Sequence, residues 1–154
     1  MADGLTLSFG MQLQPQPRMV SIVRRFVEES FEKLVGDRDA VHRVSLAVHE
    51  LLENASKYGV GPESALTVRF VLDASSANIR VTNQATPEHI ARLRTCVAEI
   101  QAAPEPFVHY QNLMRRSVGV EHASGLGLAR IRAEGELLLD LEVVGNLVTI
   151  VASG

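Results

Sequence analysis

The stretch from Asp37 to Gly59 constrains this chain more than any other, because Val41, Val44, Val48, Leu51, Leu52 and Ala55 recur at helical spacing and make one side of the segment continuously apolar. A helix with such a side has to bury it, so the segment must lie against a second layer of structure. The opposite side differs in kind. At about 100° per residue, Glu50, Glu53, Asn54 and Lys57 fall within roughly one third of the helix circumference. Two carboxylates, a carboxamide and an ammonium gathered in this way suit solvent, tied by weak ion pairs worth a few tenths of a kcal/mol each. They equally suit a polyanion and its metal ion, and spacing alone leaves both open.

A second segment bears on that choice. Ser124-Gly125-Leu126-Gly127-Leu128-Ala129-Arg130-Ile131 places a glycine pair at the start of a new helical pattern. Glycine lets backbone approach a ligand closely. The unpaired N–H groups and the positive dipole end of a helix start favour a phosphate.

Together the two segments resemble the N-box and the second glycine box of the GHKL, or Bergerat-fold, ATP-binding superfamily, which includes gyrase, histidine kinases and MutL. Within it the chain is most similar to small bacterial regulators related to anti-sigma factor serine kinases, and the resemblance runs from about Leu5 to Val151. It implies a nucleotide held between helices and sheet. Glu50 would be the general base or would position water, Asn54 would hold Mg²⁺ against the phosphates, and Lys57 would reach a phosphate. Gly125, Leu126, Gly127 and Leu128 would form the phosphate-binding helix start. These roles accord with the preference of a hard cation for oxygen ligands and with the need of a base to sit within hydrogen-bond reach of its proton.

The chain departs from the family between the two boxes. Where the family carries Asp-x-Gly-x-Gly, this sequence reads Val81-Thr82-Asn83-Gln84-Ala85. Asn83 offers an uncharged amide oxygen to an adenine amino group, provided that strand register turns it toward the pocket, and Ala85 adds a Cβ. The resemblance implies ATP and Mg²⁺ as cofactors, but a charge-assisted hydrogen bond is roughly twice as strong as a neutral one, so this departure is expected to leave adenine affinity weakened, altered or absent. The partner it implies is a regulatory protein, an anti-sigma antagonist of STAS-like type or a sigma factor, phosphorylated or sequestered in a partner-switching pathway, and it allows a homodimer. The alternative is a degenerate, non-catalytic protein of the same fold that regulates by protein–protein binding without ATP.

Composition excludes other classes. A chain of 154 residues, 46% apolar and 21% charged, supports one core and hence a single domain over residues 1–154. A net charge of −3 without a Lys/Arg cluster argues against a nucleic-acid binder. The single cysteine, Cys96, cannot form an internal disulfide and reads as a small apolar group on its helix, and there is neither a leader pattern nor an apolar run of spanning length. A cytoplasmic protein without a membrane segment is therefore expected. His49-Glu50-Leu51-Leu52-Glu53 falls short of a zinc-protease pattern because Glu53 stands at the second histidine position, and no Walker-type phosphate loop occurs.

Periodicity gives the element order. A strand with Leu5, Leu7 and Phe9 on one side is expected to end at Gly10, followed by a linker from Gln12 to Pro17. A helix from Pro17 to Gly36 carries Val20, Val23, Val27, Phe31 and Leu34, and the next is capped by Asp37 or Asp39 and ends at Gly59. Strands follow around Leu66–Leu72 and Ile79–Thr82. Thr86-Pro87 opens a helix with Ile90, Leu93, Val97 and Ile100 inward, and Phe107–Val118 forms another. After the glycine-started helix, Leu137–Val144 and Leu147–Val151 flank the hairpin turn Gly145-Asn146. The order predicts an α+β fold, a two-layer α/β sandwich whose mixed, mainly antiparallel sheet is covered on one side by helices. Residues 86–118 lie where the family keeps its ATP lid, yet their two apolar stripes favour packed helices, with Phe107 and Tyr110 as candidate anchors for a partner.

Overall fold

The computed structural model describes residues 6–14, 16–60, 66–73, 75–119 and 125–154. In chain order the elements are β1 (Leu7–Leu13), α1 (Pro17–Val35), α2 (Arg38–Tyr58), β2 (Leu66–Leu72), β3 (Ala77–Gln84), α3 (Pro87–Ala102), α4 (Pro106–Ser117), α5 (Leu126–Ala133), β4 (Leu138–Val144) and β5 (Leu147–Ser153). The strands form one sheet in the order β1-β2-β3-β5-β4, and every neighbouring pair is antiparallel. The fold is an α+β two-layer sandwich, as the element order predicts.

Local sequence explains how the first helices begin and end. Pro17 occupies the first position of α1, where its missing N–H costs nothing. Gly36 closes that helix at φ 66°, a left-handed conformation natural to glycine, and its N–H donates to the Glu32 carbonyl. One residue later Asp37, rather than Asp39, caps α2: its Oδ1 accepts from the N–H groups of Asp39 at 2.9 Å and Ala40 at 3.5 Å.

The apolar side of α2 is buried as its periodicity requires, with Val48, Leu51, Leu52 and Ala55 all 1% exposed or less. These residues pack with Val20, Val23, Val27 and Phe31 of α1 and with Val68, Phe70, Leu72, Ile79, Val81, Val148 and Ile150 on the inner face of the sheet. Burying each large aliphatic side chain is worth about 1.5–3 kcal/mol. No described helix is long and apolar enough to cross a membrane.

Three expectations change. The first strand does not end at Gly10: it continues to Leu13, and Gly10 pairs with Arg69 in the ladder. The alternation of Leu7, Phe9, Met11 and Leu13 continues across the glycine, which falls on the exposed outer face where no side chain is needed for packing. Gln12 and Leu13 therefore belong to the strand and not to a linker. On α3 it is His89, with Leu93, Val97 and Ile100, that is buried, while Ile90 is only half-buried. On α4 Tyr110 is buried and Phe107 is 52% exposed, so only Phe107 remains available as an anchor.

Helices α3 and α4 are packed elements. Helix α3 lies against β4, tied by Gln101 Nε2 donating to the Leu139 carbonyl at 2.9 Å, and α4 lies against α5. All of this sits on one side of the sheet. The other face presents Ser8, Gly10, Gln12, Arg69, Gln84, Leu138, Asp140, Glu142, Val144 and Leu147, all exposed.

The Asp37 cap serves the helix that carries the candidate site. Asp37→Ala is expected to cost about 1 kcal/mol of stability, read as a lower midpoint in urea denaturation with an unchanged slope, and Asp37→Asn is expected to retain most of it.

Candidate functional site

Where the polar side of α2 meets the start of α5, the molecule has a cavity of about 440 Å³, within the range of roughly 300–1,000 Å³ usual for small-molecule sites. Its walls include Glu50, Glu53, Asn54, Ser56, Lys57 and Tyr58 of α2, Gly125, Gly127 and Leu128 at the start of α5, and Pro17 and Val20 from the first turn of α1. The two segments singled out by spacing thus face one another. Contact between α2 and α5 brings them together across more than seventy residues of sequence.

The start of α5 has specific backbone demands. Gly125 precedes the helix at φ 93°, a conformation that strains any side-chain-bearing residue. A Cβ there would also collide with the Cys96 sulfur, so the closeness of α3 adds a steric reason. Burial pushes the Cys96 thiol up to about 11, which keeps it protonated and consistent with a packing role. The first intrahelical hydrogen bond runs from the Ala129 N–H to the Gly125 carbonyl at 3.0 Å. The N–H groups of Leu126, Gly127 and Leu128 are consequently left without an acceptor inside the helix.

Glu50 is the most constrained charged group of the site. Its side chain is 13% exposed, its Oε1 accepts from Arg130 Nη1 at 3.1 Å, and Arg130 Nε donates to Glu134 Oε2 at 2.8 Å. The two carboxylates hold the guanidinium in its charged form, the Glu134 hydrogen bond contributing most. Glu50 Oε2 lies against Gly127, where an added Cβ would overlap it. Gly127 is thus required by the carboxylate across from it, whereas Gly125 is required by its own backbone angle as well. Tyr110, buried beneath α5, has its hydroxyl pushed upward by burial first and by the nearby Glu134 charge second.

The other expected residues divide. Asn54 and Lys57 line the cavity with Glu50, as do Gly125, Gly127 and Leu128, while Leu126 is half-buried at the first helical position and does not line it. Asn83 and Ala85 do not line it either. Asn83 is on the inner face of the sheet, 4% exposed, and its amide donates to the Gln84 carbonyl at 3.0 Å. Ala85 is buried with its N–H donating to the Asn146 carbonyl at 2.9 Å. Strand register thus turns Asn83 inward, as an adenine contact requires, but not into this cavity.

Arg130, the partner of Glu50, has no signal of its own in the sequence, since nothing local links residues eighty apart. Ser56 is a second addition: its hydroxyl is buried at the cavity wall with no hydrogen-bond partner among the described residues. Beside the cavity, Tyr58 stacks on His89 with ring centroids 4.1 Å apart and an interplanar angle of 14°. Both His89 ring nitrogens are buried without partners among the described residues, and burial pushes the imidazole below its ordinary value. Among the described residues no cluster of three His, Cys, Asp or Glu side chains is arranged for metal binding, and Arg115 and Arg116 are exposed at the end of α4 rather than at the cavity.

No family model and no curated protein matches the sequence. The fold, however, has solved counterparts. A chain in the crystal structure of the SiaB-SiaC complex from Pseudomonas aeruginosa is similar with a TM-score of 0.71, 12% identity, and coverage of 95% of this chain and 88% of that one. At this identity the likeness establishes shared architecture.

Two outcomes follow from the packing. Gly127→Ala is expected to cost about 1–3 kcal/mol by overpacking against Glu50, despite the better helix propensity of alanine. Glu50→Ala in the same chain should recover most of that loss, which a double-mutant cycle by urea denaturation measures. His89 has its pKa lowered from 6.5, so the unfolded chain takes up its proton first, and stability present above that pH is lost as pH falls below it. His89→Phe keeps the ring stack without the proton site, and its melting temperature should fall less than that of the wild type between neutral and mildly acidic pH.

Proposed function

We propose that the chain binds ATP with Mg²⁺ in the α2–α5 cavity and transfers a phosphoryl group to a serine or threonine hydroxyl of a regulatory protein partner, as a kinase of the GHKL type acting in partner switching. The observation that carries this reading is the joint placement of Glu50, Asn54 and Lys57 in one cavity with Gly125, Gly127 and Leu128 at the start of α5, whose first N–H groups have no acceptor inside the helix. An anion gains from those N–H groups and from the dipole of the helix, a hard cation from the Asn54 carboxamide oxygen, and a phosphate from the Lys57 ammonium. The partnerless Ser56 hydroxyl adds a polar group that a ligand or water would satisfy. ATP with Mg²⁺, when bound, supplies the phosphoryl group and neutralises its charge. The chain's own part is to orient the phosphates and to accept the hydroxyl proton at Glu50 Oε2, while Arg130 holds the other carboxylate oxygen.

The neighbour of like fold was crystallised as a complex of two proteins, SiaB and SiaC, which supports reading this chain as one that works on a protein partner. The exposed Phe107, Val108, Met114 and Val118 on and just beyond α4, next to the packed face that holds α5, offer a surface for one.

A second reading is a protein that regulates by binding alone. It is favoured by the seclusion of Asn83 and Ala85 from the cavity, which leaves the adenine end without the recognition expected of the family, and by the engagement of Glu50 with Arg130.

Ligand-linked stability separates the two. At about 100 times its dissociation constant, ATP with Mg²⁺ should add roughly 2.7 kcal/mol and raise the melting temperature by roughly 5–10 °C. Asn54→Ala should remove the Mg²⁺-dependent part, and Glu50→Gln should abolish transfer of labelled phosphate to the partner while preserving most of the shift. No shift at saturating nucleotide would leave the binding-only reading in place.

A further inference from the structure

The two edges of the sheet are finished differently. On β4, Gln101 of α3 donates to the Leu139 carbonyl and the Asp140 carboxylate accepts the N–H of Leu141, so side chains occupy backbone groups of that edge strand. On β1, alternate residues turn their N–H and C=O groups away from β2, and among the described residues no strand pairs with that edge and no side chain bonds to it. Proteins commonly blunt such an edge with charged residues, proline or a bulge. The segment Leu7–Leu13 has none of the three: it reads Leu-Ser-Phe-Gly-Met-Gln-Leu, and its pairing with β2 is unbroken from end to end.

An added strand would find an apolar floor already in place. Leu7, Phe9, Met11 and Leu13 turn to the helix side of the sheet yet are only half-buried. Phe9 stacks on Phe70 with ring centroids 4.7 Å apart and meets Phe26 of α1 edge-on at 5.2 Å. Phe26 is 49% exposed, and Ile22, one turn earlier on the same side of α1, is 57% exposed. This ridge of α1 borders the open edge, where the inward side chains of a further strand come down.

On the outer face the same edge lacks negative charge. Gly10 stands opposite Arg69, and Arg69 stands opposite Arg80. Arg80 is paired with Glu142, whereas Arg69 is exposed and has no carboxylate within ion-pair distance among the described residues. Like charges facing each other across a ladder repel. Gly10 has no side chain, so the open path for the Arg69 guanidinium runs over Gly10 toward the edge. Strands lie about 4.8 Å apart, which places a residue added opposite Gly10 about 10 Å from Arg69, a gap that an arginine and a glutamate side chain span together.

We propose that the β1 edge takes up an extended segment of a different protein as a further strand of the sheet, with apolar side chains toward Ile22 and Phe26 and a carboxylate opposite Gly10. In strand addition of this kind main-chain hydrogen bonds supply affinity and alternate side chains supply specificity. A second copy of β1 does not meet the requirement, because its own outward residues are Ser8, Gly10 and Gln12, and none brings a carboxylate to Arg69. The inference stands whether or not the α2–α5 cavity holds nucleotide.

The probe is a fluorescein-labelled peptide, Thr-Val-Thr-Val-Glu-Val-Thr-Val-Thr, titrated with the full chain and followed by fluorescence anisotropy. It should bind saturably, and the same peptide with a central lysine should bind about fivefold or more weakly. Arg69→Glu should reverse that preference, which also shows that the variant is folded. Ile22→Ser and Phe26→Ser, both at exposed positions, should weaken both peptides alike. Methylating the peptide nitrogens on one set of alternate residues should abolish binding, and methylating the other set should leave it, since only one edge of the peptide faces β1. Amide shifts in the NMR spectrum should concentrate in residues 7–13. Absence of saturable binding, a charge preference that Arg69→Glu leaves unchanged, equal effects of the two methylated sets, or sedimentation showing β1 already occupied by a second copy would overturn the proposal.

Discussion

Helix α2 has to be dry on one side and wet on the other, and the rest of the molecule is arranged around that requirement. Its apolar residues are sealed between α1 and the sheet, and each large aliphatic group withdrawn from water contributes about 1.5–3 kcal/mol. Rotation of the helix about its axis is thereby restricted, because turning it by a single residue would move Leu51 or Leu52 toward solvent and carry a charged residue into the core. The polar rim inherits the precision of the apolar one. Glu50, Asn54 and Lys57 stand where they do because Val48, Leu51 and Ala55 cannot stand elsewhere.

The cavity then arises from how closely α5 approaches this rim. Two glycines permit the approach for separate reasons, one set by backbone conformation and by the Cys96 sulfur, the other by the carboxylate opposite. Arg130 completes the contact from one turn further along α5 and is itself balanced by Glu134. Its charge therefore does not stand alone in the half-buried space between the helices. The result is a carboxylate with one oxygen tied and the other turned toward the helix start, an arrangement in which orientation does not depend on a ligand.

Much of this was legible in the sequence where the signal is periodic or local. The stripes of α1 and α2, the Asp37 and Thr86 caps, Pro17 and the Gly145-Asn146 hairpin each follow from residues a few positions apart. What depends on position relative to a distant element was not. Gly10 reads as a strand end until β2 is seen to pair with it, because a glycine on an outward position costs a ladder little. His89 displaces Ile90 from the interior because Tyr58, at the end of another helix, offers it a ring to lie on. Asn83 and Ala85 read as pocket residues in a linear comparison of motifs, yet both are buried with partners in Gln84 and Asn146 and neither lines the cavity. Arg130 was visible as a residue and invisible as a partner.

The sheet order also bears on how the molecule is made. Strand β3 sits at the centre, but its neighbour on one side is β5, with Asn78 paired to Ser153 and Gln84 to Leu147. During synthesis β1, β2 and β3 emerge and can zip into a three-stranded ribbon long before β5 exists. At elongation rates of about 5–20 residues per second, the inner edge of β3 waits on the order of several seconds for its mate. Throughout that interval a nascent polypeptide presents an open row of amide and carbonyl groups along that edge, an arrangement prone to joining the wrong chain.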